Sequence, residues 1–186
     1  MARLRVGTCS WKYPSWAGLV YSRPEGIDYL AEYARKYSTV EVDQWFWTLA
    51  PSPADVERYR AAVPGEFRFT VKAPNALTLA RAPGKKGAEP VPNPRFLSIE
   101  VLGDFLGALE PLRPQVGAVM FQFGYLNKTM MPSQGAFLEA LDRFLAAAPS
   151  AWPYAVEIRN ASWLDRQFFE LLRSRHASAV LIQGYW

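Results

Sequence analysis

Glu41 and Asp43 stand two residues apart in Thr39-Val40-Glu41-Val42-Asp43, where apolar and acidic residues alternate. A second alternating stretch, Tyr154 to Arg159, carries Glu157 and Arg159, and a third, Glu66 to Ala73, carries Thr70 and Lys72. Successive strand side chains point to opposite faces. If the valines and phenylalanines of these stretches face helices, the two glutamates, Asp43, Lys72 and Arg159 face the other way, joined by Gln122 from the end of the apolar run Val116 to Phe123. Paired carboxylates are the equipment of general acid and base, while a lysine and an arginine shift their pKa values or hold an anion such as phosphate. Trp11 and Trp45, with Trp47 two residues on, add aromatic faces that suit sugars or bases. The candidate catalytic residues are therefore Glu41, Asp43, Lys72 and Glu157, and the candidate ligand-binding residues Trp11, Trp45, Gln122 and Arg159. The alternative is an ion-pair network satisfied within itself, because a buried unpaired charge costs several kcal/mol.

The remaining reactive groups offer less. Cys9 has no histidine nearby in sequence to activate it, so a buried structural thiol is expected; Ser10 and Ser162 meet the same objection. His176 stands beside Arg173 and Arg175 near the end of a helical stretch, where it complements the helix dipole. One cysteine and one histidine make no zinc site. No metal ligands are assigned, although Glu41, Asp43 and Glu157 could together hold a divalent cation such as magnesium.

Strands and helices alternate around these residues. Leu4 to Thr8 reads as a first strand and Ile27 to Tyr37 as a helix; Ser52 and Pro53 open a second helix running to about Val63. Helical spacing returns over Pro94 to Leu112, Ser133 to Ala147 and Leu164 to Arg175, with a sixth strand at Ala177 to Ile182. Such alternation makes an α/β fold with a parallel sheet, since parallel strands need crossovers. No glycine-rich phosphate fingerprint follows the first strand. The units average about 31 residues, and eight would need about 250, the size of a (β/α)₈ barrel. The expectation is one domain, residues 1–186, with a TIM-like (β/α) barrel truncated after about six strands. Asp43, Lys72, Gln122 and Arg159 would lie at the carboxyl ends of their strands, where barrel enzymes assemble their sites.

Gly7-Thr8-Cys9-Ser10-Trp11-Lys12-Tyr13-Pro14 with Trp16 and Gly18, Thr39-Val40-Glu41-Val42, Phe67-Arg68-Phe69-Thr70-Val71-Lys72, Phe121-Gln122-Phe123, and Ala155-Val156-Glu157-Ile158-Arg159 with Ser162-Trp163 occur in that order. In this the sequence resembles the YecE-like proteins, classed as domain of unknown function number 72, over its whole length. The resemblance implies a TIM-like barrel of roughly 250 residues, which continues past the sixth strand. It implies no activity, and the family's similarity to endonuclease IV-like and sugar-isomerase-like barrels is one of fold alone. Where the family pattern runs from a small polar pair into Thr-Phe-Tyr, this chain has Asp43-Gln44-Trp45-Phe46-Trp47, a departure that bears on the ligand.

Three readings follow. The first is a hydrolase or isomerase acting on a phosphorylated or sugar-like small ligand; if Glu41 and Glu157 were a glycosidase pair, their separation would set the stereochemistry. The second is a nucleic-acid binder or endonuclease IV-like phosphodiesterase, motivated by the net charge of +4, by Lys85-Lys86 and by the aromatics. The third is a non-catalytic interaction module in which the aromatic loop Trp11 to Tyr21 and Trp45-Phe46-Trp47 bind a partner protein. Half the residues are hydrophobic and 20% charged, which excludes disordered and coiled-coil classes. No apolar run is long enough to span a membrane and the start turns polar too early for a signal peptide, so a cytoplasmic setting is expected. An incomplete barrel would expose strand edges to a partner chain.

Overall fold

The computed structural model describes residues 4–82 and 89–183. In chain order the elements are α1 (Tyr29–Tyr33), β1 (Thr39–Val42), α2 (Pro53–Ala62), β2 (Arg68–Lys72), α3 (Asn75–Thr78), β3 (Arg81–Ala82), β4 (Val91–Pro92), α4 (Ile99–Leu109), β5 (Val116–Phe123), α5 (Gln134–Ala147), β6 (Tyr154–Ile158), α6 (Arg166–Ser174) and β7 (Ser178–Ala179). β1, β2, β5, β6 and β7 form a parallel sheet in that order, and β3 and β4 a small antiparallel ribbon. The fold is α/β, as the alternation predicts. Among the described residues β1 and β7 remain separate edges, and the sheet does not close.

Local chemistry explains the helix starts. Ser52 accepts from the Asp55 amide ahead of Pro53, Ser98 and Ser133 cap α4 and α5 in the same way, and Asp165 accepts from the Phe168 amide ahead of α6. Each cap satisfies an amide that has no partner inside the helix. Pro111 and Pro114 then draw the end of α4 into the 3₁₀ segment Glu110–Gln115, so the helix expected to reach Leu112 stops at Leu109. α1 is shorter than the spacing suggests, because Asp28 caps it by accepting from the Leu30 and Ala31 amides, so it starts two residues late.

The two faces of the sheet differ as the alternation requires. Val40, Val42, Phe69, Val71, Val119, Phe121, Phe123, Val156 and Ile158 are essentially inaccessible and join one apolar cluster with Leu102, Phe105, Phe137, Leu141 and Phe168 of the helices. The opposite parity carries Glu41, Thr70, Lys72, Met120, Gln122, Ala155 and Glu157. A bulge keeps this order across β2 and β5: Phe69 pairs with Val116 but Thr70 with Ala118, so Gly117 is skipped. A Cβ at Gly117 would come within 3.1 Å of the Arg68 Cβ, and glycine permits the approach.

Both predicted edge strands fall short. Leu4 to Thr8 runs beside β1 without becoming a strand: the Glu41 amide donates to the Thr8 carbonyl at 3.0 Å, and the buried Tyr33 hydroxyl ties the segment by accepting from the Thr8 amide and donating to the Thr39 carbonyl. Leu4 and Val6 are 88% and 64% exposed, so no packing partner enforces a ladder there. The sixth strand shrinks to Ser178–Ala179, with Leu181 exposed beyond it. Among the described residues, no helix is long and apolar enough to cross a membrane.

Candidate functional site

β1 and β2 are neighbours in register, Glu41 opposite Thr70 and Val42 opposite Val71, which brings Lys72 beside the end of β1. Lys72 Nζ lies 2.9 Å from Glu41 Oε1 and 2.6 Å from Asp43 Oδ1, with the Phe46 ring centroid 6.0 Å away. One ammonium is thus held by two carboxylates. Burial pushes the Glu41 carboxyl above its ordinary range; Lys72 offsets part of that rise, and the neighbouring Asp43 adds to it. Burial alone would lower Lys72, but hydrogen bonds to Asp43 and Glu41 outweigh it and raise the ammonium above its ordinary value. Lys72 is therefore a fixed positive charge at neutral pH, not the free amine a Schiff-base nucleophile requires.

A second cluster forms on β5 and β6. Gln122 and Glu157 are register partners, and Gln122 Nε2 donates to Glu157 Oε1 at 2.7 Å. Arg159 Nε reaches the same oxygen at 3.3 Å. The Glu157 side chain is 7% exposed and that of Arg159 54%, so a buried carboxylate is partnered by a cation that opens to solvent. Among the described residues no donor reaches Glu157 Oε2, and the two terminal nitrogens of Arg159 have no acceptor. These are the groups a ligand would find unoccupied.

The two clusters share one face. Lys72 pairs with Met120 and Met120 with Ala155, so an uncharged row separates Lys72 from the Gln122–Glu157 pair, one two-residue step further along. From β2 to β6 the face spans two strand spacings, roughly 10 Å across, with roughly 7 Å along the strands. Both clusters lie at the carboxyl ends, where open and closed α/β sheets bind ligands.

The structure separates the tryptophans from this face. After Val42 the chain leaves the strand and enters the 3₁₀ turn Gln44–Trp47, so the alternation does not extend to Trp45. Trp45 is 3% exposed and stacks on Tyr59 of α2 at 5.1 Å; Trp11 meets the same ring edge-on at 5.1 Å. Tyr59 in turn stacks on Phe69, a helix-facing residue of β2, so both tryptophans belong to the helix side. Trp47, by contrast, is 78% exposed.

Cys9 is exposed rather than buried, because its segment has no layer above it. His176 is exposed and takes a left-handed conformation (φ 53°) that ends α6, its amide donating to the Arg173 carbonyl. Lys85 and Lys86 lie outside the described residues. No group of three or more His, Cys, Asp or Glu side chains able to hold a metal occurs among the described residues, and the Lys72 ammonium fills the space between Glu41 and Asp43 that a cation would take. Sequence reasoning missed Asn160. It is 5% exposed, accepts from the Leu126 amide at 2.8 Å and donates to the Leu126 carbonyl at 2.9 Å, locking the loop after β5 to the loop after β6. A polar residue immediately after Arg159 was the available signal.

The family model described as protein of unknown function DUF72 matches residues 5–184. The chain belongs to the DUF72 family. Two crystal structures of a DUF72 family protein from Enterococcus faecalis V583, at 3.10 and 2.52 Å resolution, resemble it with TM-scores of 0.66 and 0.60. Each is 22% identical over 94% of this chain, a likeness of fold. The DUF72 chain described here spans 59% and 61% of the chain in those two structures. No curated protein matches it.

Proposed function

We propose that this DUF72 chain forms the greater part of a TIM-like barrel whose carboxyl-end face binds a small phosphorylated or sugar-like molecule and hydrolyses or isomerises it. The observation that carries this reading is the buried Glu157, whose Oε1 is held by Gln122 and Arg159 while Oε2 has no donor among the described residues, on the same face as the Lys72 ammonium. In hydrolysis a proton leaves the attacking water and one is delivered to the leaving oxygen; in isomerisation a proton leaves one atom of the substrate and one is delivered to another. Glu157 Oε2 serves as the base, its companion oxygen being fixed in place. Glu41, raised by burial, moves toward the range in which a carboxyl group serves as acid at one stage and base at the next.

The cations divide the remaining work. Lys72 stabilises negative charge that develops on a substrate oxygen, and Arg159 offers its terminal nitrogens to an anionic group such as phosphate. The test is calorimetric titration of the full chain with ribose 5-phosphate, ribose and inorganic phosphate. The expected result is binding of the phosphorylated sugar at least tenfold tighter than of either part, lost in Arg159→Ala and Glu157→Gln proteins that keep their circular dichroism. Wild-type affinity in the Glu157→Gln protein, or no binding of the phosphorylated sugar by the unaltered chain, would end this reading.

A further inference from the structure

A cleft of about 480 Å³ opens on the helix side of the sheet, between the loop around Trp11, the start of α1, and α2. That volume lies in the roughly 300 to 1,000 Å³ range of small-molecule pockets. Its walls include Trp11, Tyr29 and Tyr59, with Lys12, Gln44 and Arg58 among the polar groups. None of the residues that make up the two carboxylate clusters lines it.

The shape and charge of the cleft select a ligand. Tyr59 is 3% exposed, its ring already met edge-on by Trp11 and stacked on Trp45 and Phe69, so the aromatic surface open to a planar ligand ring is that of the half-buried Trp11 and Tyr29. The Arg58 guanidinium lies 5.4 Å from the Tyr59 ring centroid, and Asp55 takes one side of it at 2.7 Å. Lys12 has no carboxylate partner among the described residues. Asp28 is the one acid among the described lining residues, and its Oδ1 is already engaged by the Leu30 and Ala31 amides at 3.0 Å each. The balance is the Lys12 ammonium and an Arg58 guanidinium shared with Asp55, against one lining acid occupied by helix capping.

We infer that this cleft is a second binding site, separate from the carboxyl-end face, for a small molecule that joins a planar aromatic ring to an anionic group. The ring packs against Trp11 and Tyr29, and the anion is held between Lys12 and Arg58. A nucleotide and an aromatic carboxylate both have this chemistry, so the test uses one of each.

Full-length protein is titrated with adenosine 5′-monophosphate, adenosine, inorganic phosphate and indole-3-carboxylate, followed by ligand-observed NMR and calorimetry. Lys12→Ala and Arg58→Ala change exposed side chains, and Arg60→Ala on the same helix serves as a control. At least one of the two ring-bearing anions should bind, with affinity falling fivefold or more in both Lys12→Ala and Arg58→Ala and unchanged in Arg60→Ala. Binding of the nucleotide alone, or of the carboxylate alone, identifies the source of the anion. Absence of binding by both, or a loss smaller than fivefold in either cleft variant, overturns the inference. Because adenosine 5′-monophosphate contains ribose 5-phosphate, its titration is repeated on Arg159→Ala protein: binding kept there but lost in Lys12→Ala and Arg58→Ala belongs to the cleft, and the reverse pattern assigns it to the carboxyl-end face and overturns the inference.

Discussion

Gln122 and Glu157 face each other as register partners on adjacent parallel strands, and a 2.7 Å hydrogen bond joins the amide to the carboxylate. The carboxylate is buried and its nearest cation, Arg159, is 3.3 Å away and half exposed, so the neutral amide carries much of the solvation that water would provide. Gln122→Leu removes that donor and leaves the charge behind. It should destabilise the protein by about 1 to 3 kcal/mol, the cost of a buried group left without its partner. Adding Glu157→Leu to the first substitution should recover most of the loss, because both polar partners are then gone. Urea denaturation of the two single variants and the double variant measures this, and strictly additive losses would exclude the coupling.

Lys72 and its carboxylates make a pH-dependent contribution whose sign is set by two raised pKa values. Folded Glu41 holds its proton more tightly than the unfolded chain does, chiefly because of burial. Its contribution to stability is therefore fully present below the ordinary carboxyl range and is lost as pH rises through the folded value. Lys72 is raised as well, so its contribution is present below the ordinary lysine value and is lost as pH rises through the raised one. Glu41→Gln should flatten the acid-side slope, and Lys72→Met should flatten the alkaline one and cost about 1 to 3 kcal/mol at neutral pH by leaving two carboxylates unneutralised. Thermal melts across the pH range check both slopes.

Strand alternation made the inner face legible. Val40 and Val42 fix the parity of β1, Phe69 and Val71 that of β2, and Val156 and Ile158 that of β6, so Glu41, Lys72 and Glu157 could only share the other side. The pattern also located Gln122, because Phe121 and Phe123 bracket it. It did not reach Trp45, since parity holds only while the chain remains a strand and the 3₁₀ turn begins at Gln44. Nor did it fix the edges. Leu4, Val6 and Leu181 have apolar spacing, but an edge strand depends on a ladder and a covering layer contributed by distant residues. Cys9 follows from the same cause, since its burial required that layer.

Gly7 is where the amino-terminal segment meets β1. A Cβ there would collide with the Thr39 carbonyl oxygen and lie 2.7 Å from its carbon, both backbone atoms that cannot rotate away. Gly7→Ala must push the segment off the sheet and weaken the bonds from the Glu41 amide to the Thr8 carbonyl and from the Thr8 amide to Tyr33. The expected cost is about 1 to 3 kcal/mol, as for other overpacked sites. Hydrogen exchange at the Glu41 amide should accelerate while the Val119 amide, in the centre of the sheet, keeps its protection. Equal acceleration at both positions would show instead that the segment unfolds with the sheet as a whole.

Trp45 and Trp47 lie two residues apart and have opposite surroundings, which separates structural from interaction roles. Trp45 is 3% exposed against Tyr59, and its Nε1 is buried without an acceptor among the described residues. Trp45→Ala should cost about 3 to 5 kcal/mol through the cavity it leaves. Trp45→Phe keeps most of the packing and removes a donor that had no partner, so it should cost much less. Trp47 is 78% exposed, and Trp47→Ala should change stability by no more than about 0.5 kcal/mol. If Trp47 is a docking residue, its loss reduces binding to a partner without moving the melting temperature, a combination that Trp45 substitutions cannot produce. A drop in melting temperature for Trp47→Ala as large as that for Trp45→Ala would assign both residues to the core and remove the interaction role.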